Sequence, residues 1–207
     1  MDRARSHQNL GGFSFIELLI TLSVLAILSS VALANLSSSW SKARLVSTTR
    51  ALENWLSEQR RQAMSQNHTY RICIDENNKK LFSSIYSITS EMPVSCSDIS
   101  ADSKIGIFGI DDNFGSGYED LTFKTCTTDN KKVSAILLSH QGFSDHIVSD
   151  DSPCEEEAPT EDGVVEIRLR HPDQEEQRCI RIISPIGMIR DGSTEGASTK
   201  CRYDNTY

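Results

Sequence analysis

The chain has 207 residues, 38% of them hydrophobic and 24% charged, with a formal net charge of −8. Its 11 glycines bring the apolar class to about 43%, just under the globular norm, which excludes collagen-like, purely coiled-coil and fully disordered chains. A pI near 5.1 makes the whole chain a poor generic ligand for nucleic acid, although a local basic patch is compatible with it.

Taken from the N-terminus, residues 1–12 (MDRARSHQNLGG) form a short polar leader with Arg3 and Arg5. Residues 13–36 follow as FSFIELLITLSVLAILSSVALANL, with one charge, Glu17, and neither Gly nor Pro. As a helix this segment is about 36 Å long at 1.5 Å per residue, and a bilayer's hydrocarbon core is about 30 Å. The spacing therefore predicts a transmembrane helix over 13–36, and the arginines before it favour a cytoplasmic N-terminus. An uncleaved signal anchor is one alternative. Another is a secretory signal cut after Ala32-Leu33-Ala34, against which the length counts, since such apolar cores run about 7–15 residues. A carboxylate within the bilayer costs several kcal/mol unless it is neutralised or paired, so Glu17 is a functional candidate. Its bland alternative is a side chain that reaches the interface.

The order Gly12-Phe13-Ser14-x-x-Glu17, followed by about twenty apolar residues, resembles the class III signal of type IV pilins and type II secretion pseudopilins. That resemblance implies cleavage between Gly12 and Phe13 by a prepilin peptidase, N-methylation of Phe13 by the same enzyme, and retention of the apolar helix. It also implies that Glu17 guides assembly by pairing with the Phe13 amine of a neighbouring subunit.

Helical spacing continues beyond the apolar run. Leu45, Thr49, Leu52, Leu56, Gln59 and Ala63 recur at alternating steps of four and three, a narrow seam that Trp55 broadens. Residues 37–67 are expected to be an amphipathic continuation of the same helix, with Asn67-His68-Thr69 as its exit. The remainder, 68–207, reads as a β-rich head. Strand patterns are expected at 70–74, 81–88, 105–110, 121–126, 133–139, 143–148, 164–170 and 178–183. In the seventh, Val165, Ile167 and Leu169 alternate with Glu166, Arg168 and Arg170, as in a strand buried on one face. His171-Pro172-Asp173 begins a polar turn to the eighth. The expected fold is α+β, a long N-terminal helix packed on an antiparallel sheet, as in pilins.

Within that superfamily the head resembles the GspH/FimT group of minor pseudopilins and minor pilins. The resemblance rests on the apolar strand 133–138 leading to Gln141-Gly142, and on 179–183 leading through Ser184-Pro185-Ile186 to Gly187. All six cysteines (Cys73, Cys96, Cys126, Cys154, Cys179, Cys201) fall in the head, as an oxidising periplasm would favour. Fifteen pairings are possible; the expectation is that neighbours in chain order pair. A metal site is not expected, since there is no Cys-x-x-Cys and no His at ligand spacing from a cysteine.

No motif for a zinc peptidase, a phosphate loop or a nucleophile elbow occurs, so no catalytic residue and no enzymatic activity are expected. His68, His140, His146 and His171 lie in polar stretches and read as solvated. No cofactor is implied. The acidic, Gly-rich stretch Asp111 to Asp120 could hold calcium through alternating oxygens, but its spacing is not that of an EF-hand, and a solvated turn fits it better. Residues 150–162 carry seven carboxylates, no base, and Pro153 and Pro159, which reads as an exposed loop. Some FimT-type relatives bind DNA through a C-terminal Gly-Arg-x-Arg; here the tetrad is Gly187-Met188-Ile189-Arg190, one arginine short. Arg168, Arg170, Arg181, Arg190 and Arg202 are the candidate DNA contacts, set against 14 basic and 25 acidic residues in 66–207. The combined reading is a minor subunit of a type II secretion pseudopilus or type IV pilus, single-pass in the bacterial inner membrane with a periplasmic head. Its partners would be other subunits, the prepilin peptidase and the inner-membrane assembly platform. A DNA-binding uptake subunit is the alternative.

Overall fold

The switch from helical to twofold periodicity falls where the chain leaves its long helix, and the local chemistry says why it leaves there. The computed structural model describes residues 14–86, 96, 99, 104–110, 118, 120–127, 129–154, 164–196, 198 and 200–203, with the side chains of 30–37 and 149–153 outside that description. Helix α1 (Phe15–Gln66) is 52 residues long, and no Gly or Pro interrupts it. Asn67 follows at φ 57°, a left-handed conformation that Asn tolerates at a helix end. The His68 N–H then donates back to the Ala63 carbonyl at 3.1 Å, and the Tyr70 hydroxyl donates to Gln66 Oε1 at 2.7 Å.

Among the described residues ten strands follow: β1 (Tyr70–Asp75), β2 (Lys80–Ile85), β3 (Lys104–Gly109), β4 (Thr122–Thr127), β5 (Lys131–Leu138), β6 (Ser144–Pro153), β7 (Val164–Arg170), β8 (Arg178–Ile183), β9 (Met188–Thr194) and β10 (Cys201–Tyr203). They pair in the order β10-β9-β8-β7-β4-β5-β1-β2-β3, with β6 added to β5. Every pairing is antiparallel. The junction between β4 and β5 is a single register pair, Cys126↔Lys132, so the sheet has two lobes joined at a narrow waist. The fold is α+β, as the sequence predicts. Strands β7 and β8 match their expected bounds residue for residue, whereas β9 and β10 were not anticipated. In β9 the run MIRDGST carries Asp and Gly in place of the β-branched alternation that marks a strand, and β10 is only three residues long.

The chain divides into two compact units, Met1–Trp40 and Ser41–Tyr207. The amphipathic part of α1 thus belongs with the strands, and the boundary falls inside the helix rather than at its end. Leu45, Leu52, Leu56 and Ala63 pack with Ile72, Ile136, Leu138, Ile167, Leu169 and others in one core, and the Trp55 and Phe108 rings meet at 5.9 Å. Burial of each such leucine stabilises by about 1.5–3 kcal/mol. Thr49 and Gln59, the polar members of the seam, are buried as well; the Thr49 hydroxyl donates to the Leu45 carbonyl at 2.8 Å.

Three disulfides join Cys73 to Cys96, Cys126 to Cys154 and Cys179 to Cys201, the pairing of neighbours in chain order. Each closes a loop of 22 to 28 residues. Such a crosslink adds about 2–4 kcal/mol, chiefly by restricting the unfolded chain.

Candidate functional site

Among the described residues, two regions carry chemistry beyond packing: the first turns of α1, and the head at the end of α1 and on its outer face. In the helix, Glu17 sits in the first turn, where the Glu17 and Leu18 N–H groups donate to the Ser14 carbonyl at 3.0 and 3.2 Å. A carboxylate there faces the positive end of the helix dipole. The large apolar side chains from Phe15 to Leu28 are all exposed, between 47% and 75%. The hydroxyls among them are satisfied internally. Thr21 donates to the Leu18 carbonyl at 2.9 Å, Ser23 to Leu19 at 2.8 Å and Ser29 to Leu25 at 2.7 Å. With the Thr21, Ser23 and Ser29 hydroxyls bonded within the helix, the described side chains ask little of water except at Glu17. Gly12 and Phe13, the expected cleavage and methylation positions, lie outside the described residues. Among the described residues no helix is long and apolar enough to cross a membrane; the described side chains of the apolar run stop at Ser29.

Beside the last turns of α1, the two strand-to-glycine motifs meet though they lie far apart in the chain. Arg60, on α1, donates from Nε to the Gly142 carbonyl at 3.2 Å and from an Nη to the Ile186 carbonyl at 3.0 Å. One guanidinium thus fastens the helix to the β5–β6 and β8–β9 turns together. Gly187 has φ +68°, and a Cβ on it would fall 2.4 Å from the Gly142 oxygen, so glycine is required by both conformation and space. Met64, Phe143 and Ile186 are exposed on the same turns and helix end. The sequence pointed to both glycine motifs but not to Arg60, because an arginine on a helix face carries no local mark of a carbonyl partner 82 or 126 residues away.

The outer face of the second lobe departs from expectation. Glu166 and Arg168 are not on a solvated face; they are 1% and 3% exposed. Arg168 Nε donates to Glu166 Oε1 at 2.5 Å, and the Tyr203 hydroxyl donates to Glu166 Oε2. The Arg181 guanidinium lies 3.9 Å from the centre of the Tyr203 ring. Burial, reinforced by the Glu166 carboxylate, pushes the Tyr203 hydroxyl well above the usual phenol range. Tyr203 of strand β10 supplies Glu166 with a partner that the β7 alternation alone could not reveal. His171 is likewise buried rather than solvated: it starts the β7–β8 turn and its Nδ1 accepts the Asp173 N–H at 3.2 Å.

The register places Arg168, Arg170, Arg181 and Arg190 on one face of the sheet, since Arg181 lies opposite both Glu166 and Arg190. Arg202 belongs to the other face, through Ser193, Arg178 and Leu169. Arg170 is exposed, and Arg202 pairs with Glu195 at 2.6 Å in the open. The five candidates therefore do not form one exposed patch.

Among the described residues, the grouping nearest to a metal-ligand set is Glu166, Cys179 and Cys201. Its two sulfurs are bonded to each other and its carboxylate already holds Arg168 and Tyr203, so it lacks the donors a metal needs. Of the acidic, Gly-rich stretch, only Tyr118 and Asp120 are described; the calcium expectation lies outside the described residues. Shallow grooves flank the β1–β2 turn, one of about 380 Å³ lined by Asp75, Glu76, Phe82 and Lys132. Burial there pushes the Asp75 carboxyl up, but hydrogen bonds from Asn78 and Asn77 and the charge of Lys104 outweigh it and hold it below the usual range.

No protein-family model and no curated protein matches the chain. Two solved structures are similar in outline. One is the minor pseudopilin EpsH of the Vibrio cholerae type 2 secretion system, 9% identical over 72% of this chain and 95% of that one, with a TM-score of 0.45. The other is the Pseudomonas aeruginosa type IV minor pilin FimU, 15% identical over 76% and 97%, with a TM-score of 0.46.

Proposed function

We propose that this chain is a non-enzymatic filament subunit of the pilin or pseudopilin kind, matured by removal of residues 1–12 and assembled through α1. The observation that carries this reading is the division of labour along one uninterrupted helix. Its first turns expose an apolar surface with the Thr21, Ser23 and Ser29 hydroxyls satisfied and a single acid, while its second half is committed to the core of a β head. A surface of the first kind is stable only in lipid or against other apolar helices. In the bilayer the helix anchors the subunit with its head in the periplasm, where three disulfides form. In the filament, the Glu17 carboxylate pairs with a neighbour's N-methylated Phe13 amine, and misregister leaves that charge unpaired. The prepilin peptidase and an inner-membrane assembly platform are the partners this route requires; the resemblance of the two strand-to-glycine motifs to the GspH/FimT group supports a minor position in a secretion pseudopilus or type IV pilus.

Mass spectrometry of the mature protein tests the maturation step. The expected N-terminus is Phe13 bearing one added methyl group; a chain that starts at Leu33, Ala34 or Asn35, or still carries Met1, overturns the reading. Glu17→Ala is expected to leave the head folded and abolish incorporation into filaments.

A DNA-binding uptake subunit on the same scaffold draws on the shared face of Arg168, Arg170, Arg181 and Arg190. It is the weaker reading, because the Arg168 guanidinium is buried on Glu166. A low-salt gel shift with micromolar protein separates the two, with no shift expected.

A further inference from the structure

Strand β10 is a weak element by ordinary measures. It is three residues long, lies at the end of the strand order and, among the described residues, pairs only with β9, through Cys201↔Thr194, Arg202↔Ser193 and Tyr203↔Gly192. Edge strands of this length do not hold themselves in place. The Arg202–Glu195 ion pair is largely exposed and adds little. Yet β10 reaches a pair of charged side chains that are almost wholly removed from water, Glu166 and Arg168: its Tyr203 hydroxyl donates to Glu166, and its Cys201 sulfur lies within 4.8 Å of that carboxylate. Its fit is specific as well. A Cβ on Gly192 would come within 2.5 Å of the Arg202 carbonyl oxygen and 2.7 Å of the Tyr203 ring, so the strand lies flat only because residue 192 has no side chain.

What holds it is covalent. Cys201, the first residue of β10, is bonded to Cys179 in the middle of the head, on β8, next to Glu166. We propose that β10 is a redox-gated cover: the Cys179–Cys201 disulfide keeps it down over the Glu166–Arg168 pair, and reduction of that bond by a dithiol lifts it and hydrates the pair. The exchange balances as a two-electron step. The dithiol gives two electrons and two protons to the protein disulfide, leaves as its own cyclic disulfide, and Cys179 and Cys201 become thiols. Without that bond, β10 keeps three register pairs with β9, the exposed Arg202–Glu195 pair and the Tyr203 contacts against the entropy of ordering the segment, while hydration of two buried charges favours the open form. The outer face of the head then differs between the two redox states: sealed in an oxidising compartment, open and charged in a reducing one.

The test is amide hydrogen exchange, read by mass spectrometry on the full chain in detergent solution, for the oxidised protein and for Cys179→Ser/Cys201→Ser, which retains the other two disulfides. Exchange at residues 201–203 and at Gly192–Thr194 should accelerate tenfold or more, with β7 and the α1 seam unchanged. Unchanged exchange at 201–203 would overturn the proposal, since the strand would then hold without its bond. Acceleration throughout the head would overturn it too, because β10 would be part of the core rather than a cover. Tyr203→Phe, with the disulfide intact, guards against a variant that does not fold. Protection at 201–203 should stay within twofold of the parent; a loss as large as tenfold would make the tyrosine, and not the bond, the latch.

Discussion

The two halves of α1 are made of similar residues and do opposite things with them. From Phe15 to Leu28 leucines, isoleucines and a valine stand exposed on every side of the helix. From Leu45 to Ala63 the apolar residues are fewer and gather along one seam, where Leu45, Leu52, Leu56 and Ala63 are buried to 1% or less. A helix apolar all round needs an apolar solvent, whereas a one-sided helix needs a sheet. The lesson is that hydrophobicity alone does not assign a role; its angular distribution does. Removing the same side chain from each half is the sharpest way to break this comparison. Leu56→Ala should cost about 2–5 kcal/mol of head stability through lost burial and a residual cavity. Leu22→Ala should leave the urea midpoint of the head unchanged. Equal losses in the two variants would mean that the first half also packs on the head.

The junction between helix and sheet is sharpened by Gly187. Gly187→Ala places a Cβ against the Gly142 oxygen at a φ of +68°, so a loss of about 1–3 kcal/mol is expected in chemical denaturation. Arg60→Met keeps the aliphatic stem but removes both carbonyl bonds, one part-buried and one exposed. A smaller loss of about 1–2 kcal/mol is expected there. If Arg60→Met proved neutral, the two turns would hold themselves without the helix.

Legibility followed range along the chain. All six residues of the predicted helical seam are buried, because i, i+3 and i+4 spacing is a local signal of which face is covered. Strands β7 and β8 were readable from their alternation and apolar run. The disulfide pairing followed the expected order of neighbours, although sequence alone could not select it from fifteen. What the sequence hid were events set by distant partners. Glu166 and Arg168 looked solvated because alternation reports one covered face, and nothing in VVEIRLR announces that Tyr203 of β10 will reach Glu166 on the other. His171 looked solvated because its neighbours are polar, but its ring turns inward to accept its own turn's N–H. Arg60 was one charge among several on a helix until two turns arrived from elsewhere.

The smallest expected effect lies on the seam's margin, where the committed half of the helix keeps a charge. Glu53 on α1 is half-buried, and burial together with the Asp191 carboxylate raises its pKa, against the opposing charge of Arg50. A carboxyl whose folded pKa is raised binds its proton more tightly in the folded state than in the unfolded one. Its ionisation therefore costs stability as pH rises through the unfolded value, near 4.3, and then through the higher folded value. Below both values the residue is neutral in either state and the cost vanishes. Glu53→Gln removes the ionisation and should stabilise the head slightly at pH 7, by less than about 1 kcal/mol, since solvent screens a half-exposed charge. That gain should fade as the pH is lowered to about 4. A gain that persisted unchanged at the lower pH would assign the effect to packing of the amide rather than to the charge beside Asp191.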